Sequence, residues 1–81
     1  MAITNIYLAE SYANNPNMAR AFIRMNGYSR IEVQKHHLGE PGWQTWLMSG
    51  ESTGTYDLFR TKREAMTAAR KMSEVFELPI A

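Results

Sequence analysis

The stretch that most constrains the fold is Thr61 to Phe76, T-K-R-E-A-M-T-A-A-R-K-M-S-E-V-F, which reads as one helix. Thr61 stands at an N-cap position with Glu64 three residues later. In that capping-box spacing each side chain satisfies a backbone N–H that the first turn leaves open. Ala65, Ala68, Ala69, Met72, Val75 and Phe76 then recur at helical spacing on one side. Lys62, Arg63, Met66, Thr67, Arg70, Lys71, Ser73, Glu74 and Glu77 share the other side. One face is built for a core, the other for water or a partner.

The charges on the outer face run against the helix. Lys62 and Arg63 open it and Glu74 and Glu77 close it, an order that costs about 0.3 to 1 kcal/mol per residue against the macrodipole. Such an order can be accidental, or it can mark a place where an anion sits on the open N–H groups of the first turn.

A chain of 81 residues, 44% hydrophobic and 21% charged, supports a single globular domain over 1–81 with its core in about 16–78. Without cysteine it has neither a disulfide framework nor a cysteine-based metal site. Met1 to Tyr12 lacks the basic and apolar regions of a signal peptide, and no stretch is long enough to span a bilayer. A cytoplasmic protein with no membrane partner is the expectation. The net charge of +1 excludes an electrostatic case from the global balance. Locally there is one, because Arg60 to Lys71 carries five bases against Glu64 alone. A domain this small without staples also makes a homodimer an option.

Residues 2–14 suit either a helix or a strand, with the helix favoured. Asn15 and Pro16 form a cap and first-turn pair. From Met18 to Met25 the apolar residues Met18, Ala21, Phe22 and Met25 cluster, and Asn26-Gly27 supplies a left-handed stop. Strands are predicted over 28–37, 43–48 and 55–60, separated by the Leu38 to Gly42 turn and a polar connection over 49–54. Pro79 ends the last helix region. The expected architecture is an α+β two-layer sandwich in which a three-stranded antiparallel meander carries two helices on one face. Its core would draw on Met18, Phe22, Met25, Ile31, Val33, part of 43–48, Leu58 or Phe59, and the alanine face of the last helix.

With this order in view, Thr61-Lys62-Arg63-Glu64-Ala65 followed by Ala68-Ala69 resembles the double-stranded-RNA-binding domain family. That family's second helix opens with Ser/Thr-Lys-Lys-x-Ala-Lys-x-x-Ala-Ala, and its bases contact phosphates. The resemblance covers about 16–76 and implies duplex binding through the helix start, with the Gly39-Glu40-Pro41-Gly42 turn as a second foothold. The family's third base falls on Met66 here, and no histidine follows Pro41. Phe59-Arg60-Thr61-Lys62-Arg63-Glu64-Ala65 is also similar to the strand-to-helix junction in the N-terminal DNA-binding domains of tyrosine recombinases. That likeness implies reading through the sheet, by Trp43, Gln44, Trp46 and Arg60.

The candidate binding residues are therefore Lys62, Arg63, Arg70, Lys71, Arg60, Met66, Gly39, Pro41 and Trp43. Trp43 and Trp46 lie three apart and point to opposite faces of a strand. His36 and His37 are adjacent, diverge, and have no Cys or further His to complete a metal site. No nucleophile elbow, phosphate loop or metal-ligand spacing occurs, so neither catalysis nor a cofactor is expected. Two functions compete. One is a non-enzymatic module that contacts duplex nucleic acid by shape and phosphates. The other is a small inhibitor or adaptor, of the kind phages and mobile elements encode, that binds an acidic protein surface.

Overall fold

The computed structural model describes residues 4–36, 41–51 and 53–81. Along the chain run α1 (Asn5–Tyr12), α2 (Pro16–Asn26), β1 (Arg30–Lys35), β2 (Trp43–Met48), β3 (Gly54–Phe59) and α3 (Lys62–Phe76). The strands form one sheet in the order β1-β2-β3, antiparallel throughout. This is the expected α+β architecture, and the N-terminal segment is a helix. β1 and β3 are shifted or shorter than their periodicity suggested, because Tyr28 and Ser29 belong to the connection after α2 and Arg60 to the turn before α3.

The register decides which side chains meet the helices. Ile31, Leu47 and Thr55 line up across the sheet, as do Val33, Thr45 and Asp57, and then Lys35, Trp43 and Phe59. Side chains alternate between the two faces, so these odd-numbered residues share the helix side. Ile31, Thr45 and Leu47 there are fully buried. α3 packs on this face through Ala65, Ala68, Ala69, Met72 and Phe76, all buried. The alanines let its backbone come close enough for the Thr45 hydroxyl to donate to the Ala65 carbonyl at 2.8 Å. That bond satisfies a buried hydroxyl which would otherwise cost about 1 to 3 kcal/mol. Phe59 therefore takes the inward position, and Leu58 points away from the helices, 49% exposed.

α1 is fastened to β3 by a buried carboxylate. Asp57 accepts the Asn5 N–H at 2.9 Å and the Ile6 N–H at 2.8 Å, one on each oxygen. Thr4, the N-cap, accepts the Tyr7 N–H with its hydroxyl, and its carbonyl takes the Leu8 N–H. The open donors of the first turn are thus all filled. The Asn5 amide completes the junction by donating to the Thr55 carbonyl and accepting from the Thr55 hydroxyl.

α2 packs chiefly on α3 and α1. Phe22 lies 5.5 Å from Tyr12, 5.6 Å from Tyr28 and 5.6 Å from Phe76, measured between ring centroids, so one ring joins all three helices to the start of the sheet. Pairs of this kind add about 0.5 to 1.5 kcal/mol each beyond their burial. The buried stripe of α2 is Ala19, Phe22 and Ile23, which corrects the expectation for Met18 and Met25. These are 51% and 85% exposed. Both candidate stripes contain Phe22. The observed one puts the small Ala19 at the contact, where it allows the helices to approach, and leaves the flexible methionines outside. Gly27 ends α2 with φ 68°, the left-handed cap conformation, and its N–H reaches the Arg24 carbonyl.

Beyond α3 the chain turns at Glu77, which adopts φ 56°, and buries Leu78 in the core. It then runs parallel to β1, with the Ile31 N–H donating to the Pro79 carbonyl and the Ala81 N–H donating to the Ile31 carbonyl, both at 2.8 Å. No helix among the described residues is long and apolar enough to cross a membrane.

Candidate functional site

α3 begins at the predicted cap, but only half of the capping box forms, because the Glu64 carboxylate takes the Thr61 hydroxyl and not the Thr61 N–H. The Thr61 hydroxyl accepts the Glu64 N–H at 3.1 Å and donates to the Glu64 carboxylate at 3.1 Å. The N–H groups of Lys62 and Arg63, the first two of the helix, have no partner among the described residues. At the corresponding two positions of α1 sits the Asp57 carboxylate. One molecule therefore holds both a filled anion position and an open one, and the open one is flanked by bases.

Those bases diverge. The Lys62 ammonium lies 5.3 Å from the centroid of the Trp43 ring, a cation–π contact that holds it at the end of the sheet. Arg63, one residue on and about a quarter-turn around the axis, lines a groove of about 490 Å³ between α1 and α3. Ile6, Phe59 and Ala68 give the groove its apolar lining, and Glu10, Glu64, Thr67 and Lys71 complete it. Lys71 also borders a smaller cleft of about 180 Å³ with Tyr12, Pro16, Arg20 and Glu77. Arg70 is exposed, seven residues after Arg63 and so on nearly the same side of the helix, and Met66 is half-buried. Arg60 is exposed in the turn that leads into α3.

The pairing of charge is uneven across the molecule. Among the described residues the two ion pairs are Arg20–Glu77 and Arg30–Glu32. Beside Glu77, through their hydrogen bond first and their attraction second, the Arg20 guanidinium is held above its ordinary pKa. The bases of the α3 region, Arg60, Lys62, Arg63, Arg70 and Lys71, have no carboxylate partner within this set. Lys35 lies across from Trp43 at the same end of the sheet and is likewise without one. Lys35 is a base that spacing along the chain does not connect with α3. Its signal was the cross-strand register, which a single sequence does not fix.

The two tryptophans do point to opposite faces. Trp43 lies on the helix side, half-buried beside Lys62, which corrects the grouping of Trp43 with Gln44 and Trp46 on one reading surface. Trp46 lies on the outer face, stacked on Tyr56 at 4.6 Å between centroids. The indole N–H donates to Gln44 Oε1 at 2.9 Å. Because an indole N–H can only donate, it fixes the amide orientation, so Gln44 Nε2 faces His36 Nδ1 at 2.8 Å as donor to acceptor. Tyr56 and Leu58, 42% and 49% exposed, extend this apolar patch, and no described helix packs on that side.

The loop proposed as a second foothold is described in part. Pro41 is exposed and Gly42 is buried. A Cβ at Gly42 would sit 3.0 Å from the Phe59 carbonyl oxygen, so the close approach of β3 explains a glycine there. Gly39 lies outside the described residues, as does His37. No protein-family model matches the chain, and neither a curated protein nor a solved structure matches it.

Proposed function

We propose that this protein is a small non-enzymatic module that contacts duplex nucleic acid by shape and phosphates, through the basic start of α3. The observation that carries the reading is the set of five bases, Arg60, Lys62, Arg63, Arg70 and Lys71, with no carboxylate partner among the described residues. The open N–H groups of Lys62 and Arg63 add a place for one anionic oxygen. The resemblance of 16–76 to double-stranded-RNA-binding domains points the same way. Lys62 and Arg63 would take the first phosphate, and Arg70 and Lys71, about 12 Å further along the helix, the next. Pro41 would approach the duplex from the neighbouring loop.

An electrophoretic mobility assay with duplex RNA, duplex DNA and single strands at two salt concentrations tests this. About five phosphate contacts give a slope of log K against log salt near −4.5, or roughly a 500-fold loss of affinity between 50 and 200 mM salt. Binding that is indifferent to salt, or equal on single strands, contradicts the proposal.

A second reading, an inhibitor or adaptor that binds a protein, is favoured by the outer sheet face. Trp46, Tyr56 and Leu58 form an open patch there, of the residue types that anchor protein interfaces. A pull-down that recovers one stoichiometric protein and survives nuclease treatment supports this reading over the first.

A further inference from the structure

We infer that the free edge of β1 is a strand-addition site for an extended acidic protein segment, separate from the nucleic-acid reading above. The edge is open by construction. β2 bonds the even-numbered residues of β1, as the His36 N–H to Gly42 carbonyl bond shows. The odd-numbered main chain therefore points outward. At Ile31 the chain's own tail takes those groups, through Pro79 and Ala81. At Val33 and Lys35, next along the same edge, they have no partner among the described residues.

The tail shows what this edge accepts, namely extended chain running parallel to β1 with main-chain bonds and a buried apolar anchor, Leu78. The flank of α3 beside it sets the chemistry of an added strand. Ser73 donates to the Leu78 carbonyl, so the side of α3 that carries Ser73 faces the tail. Met66 lies seven residues earlier on nearly the same side, half-buried, as is Val33 on the strand. Val33, packed against the core, offers a small apolar floor. Lys35, on the strand itself, is exposed and has no carboxylate partner among the described residues. A strand placed here would meet main-chain donors and acceptors, a small apolar floor and uncompensated positive charge. Those three features together fit a peptide with alternating acidic residues, whose main chain presents alternating donors and acceptors at the spacing of the β1 edge, as a nucleic-acid strand does not.

Isotope-labelled full-length protein, with no nucleic acid present, is titrated by NMR with a capped alternating peptide of valine, threonine and glutamate, and with the same peptide carrying lysine for glutamate. The acidic peptide should bind at least tenfold tighter. It should shift the Val33 and Lys35 amide signals and slow their solvent exchange at least tenfold. Val33→Pro removes an N–H that belongs to the open edge and not to the ladder with β2, and should abolish the effect. If that variant does not fold, Lys35→Glu at an exposed position should reduce the preference for the acidic peptide below threefold. Equal affinity for the two peptides overturns the inference, and so do unchanged Val33 and Lys35 amides. Protection of those amides by concentration alone, which would mean that a second copy takes the edge, overturns it too. Because the titration contains no nucleic acid, its failure leaves the phosphate reading untouched, and the reverse holds.

Discussion

Asp57→Ala is the substitution whose cost follows most directly from the structure. The carboxylate is buried and takes the first two N–H groups of α1, at 2.9 and 2.8 Å. Its loss leaves two donors without their acceptor, at about 1 to 3 kcal/mol each. It also removes a negative charge from a helix N-terminus, worth about 0.3 to 2 kcal/mol. Water entering the space left by the side chain recovers part of this, so a net loss of about 3 kcal/mol is expected. A domain of this size has a total of about 4 to 12 kcal/mol, so the variant should remain folded in the cold and melt at least 10 °C lower, taking about 4 to 8 °C per kcal/mol. Asp57→Asn keeps one acceptor but turns an amide donor toward the other N–H, and should cost about 2 kcal/mol. Urea unfolding followed by tryptophan fluorescence and by circular dichroism gives both values. A loss below 1 kcal/mol for Asp57→Ala would refute the claim that this carboxylate holds α1 on the sheet.

Further expectations concern packing. At Gly54 an added Cβ would lie 2.3 Å from the Leu47 carbonyl oxygen, a backbone atom that cannot step aside, so Gly54→Ala should cost at least about 2 kcal/mol in a denaturation experiment. Gly27→Ala meets no atom within 4 Å but must hold φ 68°, and should cost only about 1 kcal/mol by the same measurement. Met18→Gln and Met25→Gln remove exposed methionines and should each change stability by less than about 0.5 kcal/mol; a larger loss would mean that α2 buries the other stripe.

Much of this fold is written locally. The Thr61–Glu64 box, the Asn15-Pro16 start and the Gly27 stop are short-range signals, each set by hydrogen bonds or dihedral limits within one turn. They placed α2 and α3 almost to the residue. The alanine face of α3 was equally legible because small residues at helical spacing have few other uses. The phase of α2 was not. Met18, Phe22 and Met25 and the actual Ala19, Phe22 and Ile23 differ by about a quarter-turn of the helix, and hydropathy alone favours neither. The choice is made by Tyr12, Tyr28 and Phe76 closing around Phe22, contacts that exist only after the chain has folded. The same limit hid Asp57. An acid in a strand reads as a surface residue until α1 brings two N–H groups onto it.

For the site, the sequence identified the bases at the start of α3 but could not arrange them. Lys62 turns toward Trp43 and Arg63 toward the α1 groove, a divergence set by what packs on each flank. Lys35 joins this end through strand register, and the tail's hold on Ile31 comes from long-range backbone pairing. Neither leaves a trace in composition or spacing.

The central claim is that Lys62 and Arg63 are phosphate contacts. The most direct test is the dependence of duplex affinity on salt, measured for the natural chain and for the Lys62→Ala, Arg63→Ala double variant. Two lost contacts should make the slope of log K against log salt shallower by about 1.8, with the fold unchanged by circular dichroism. A double variant that binds duplex with the parent's slope, or a parent that does not bind duplex at low salt, would contradict the account.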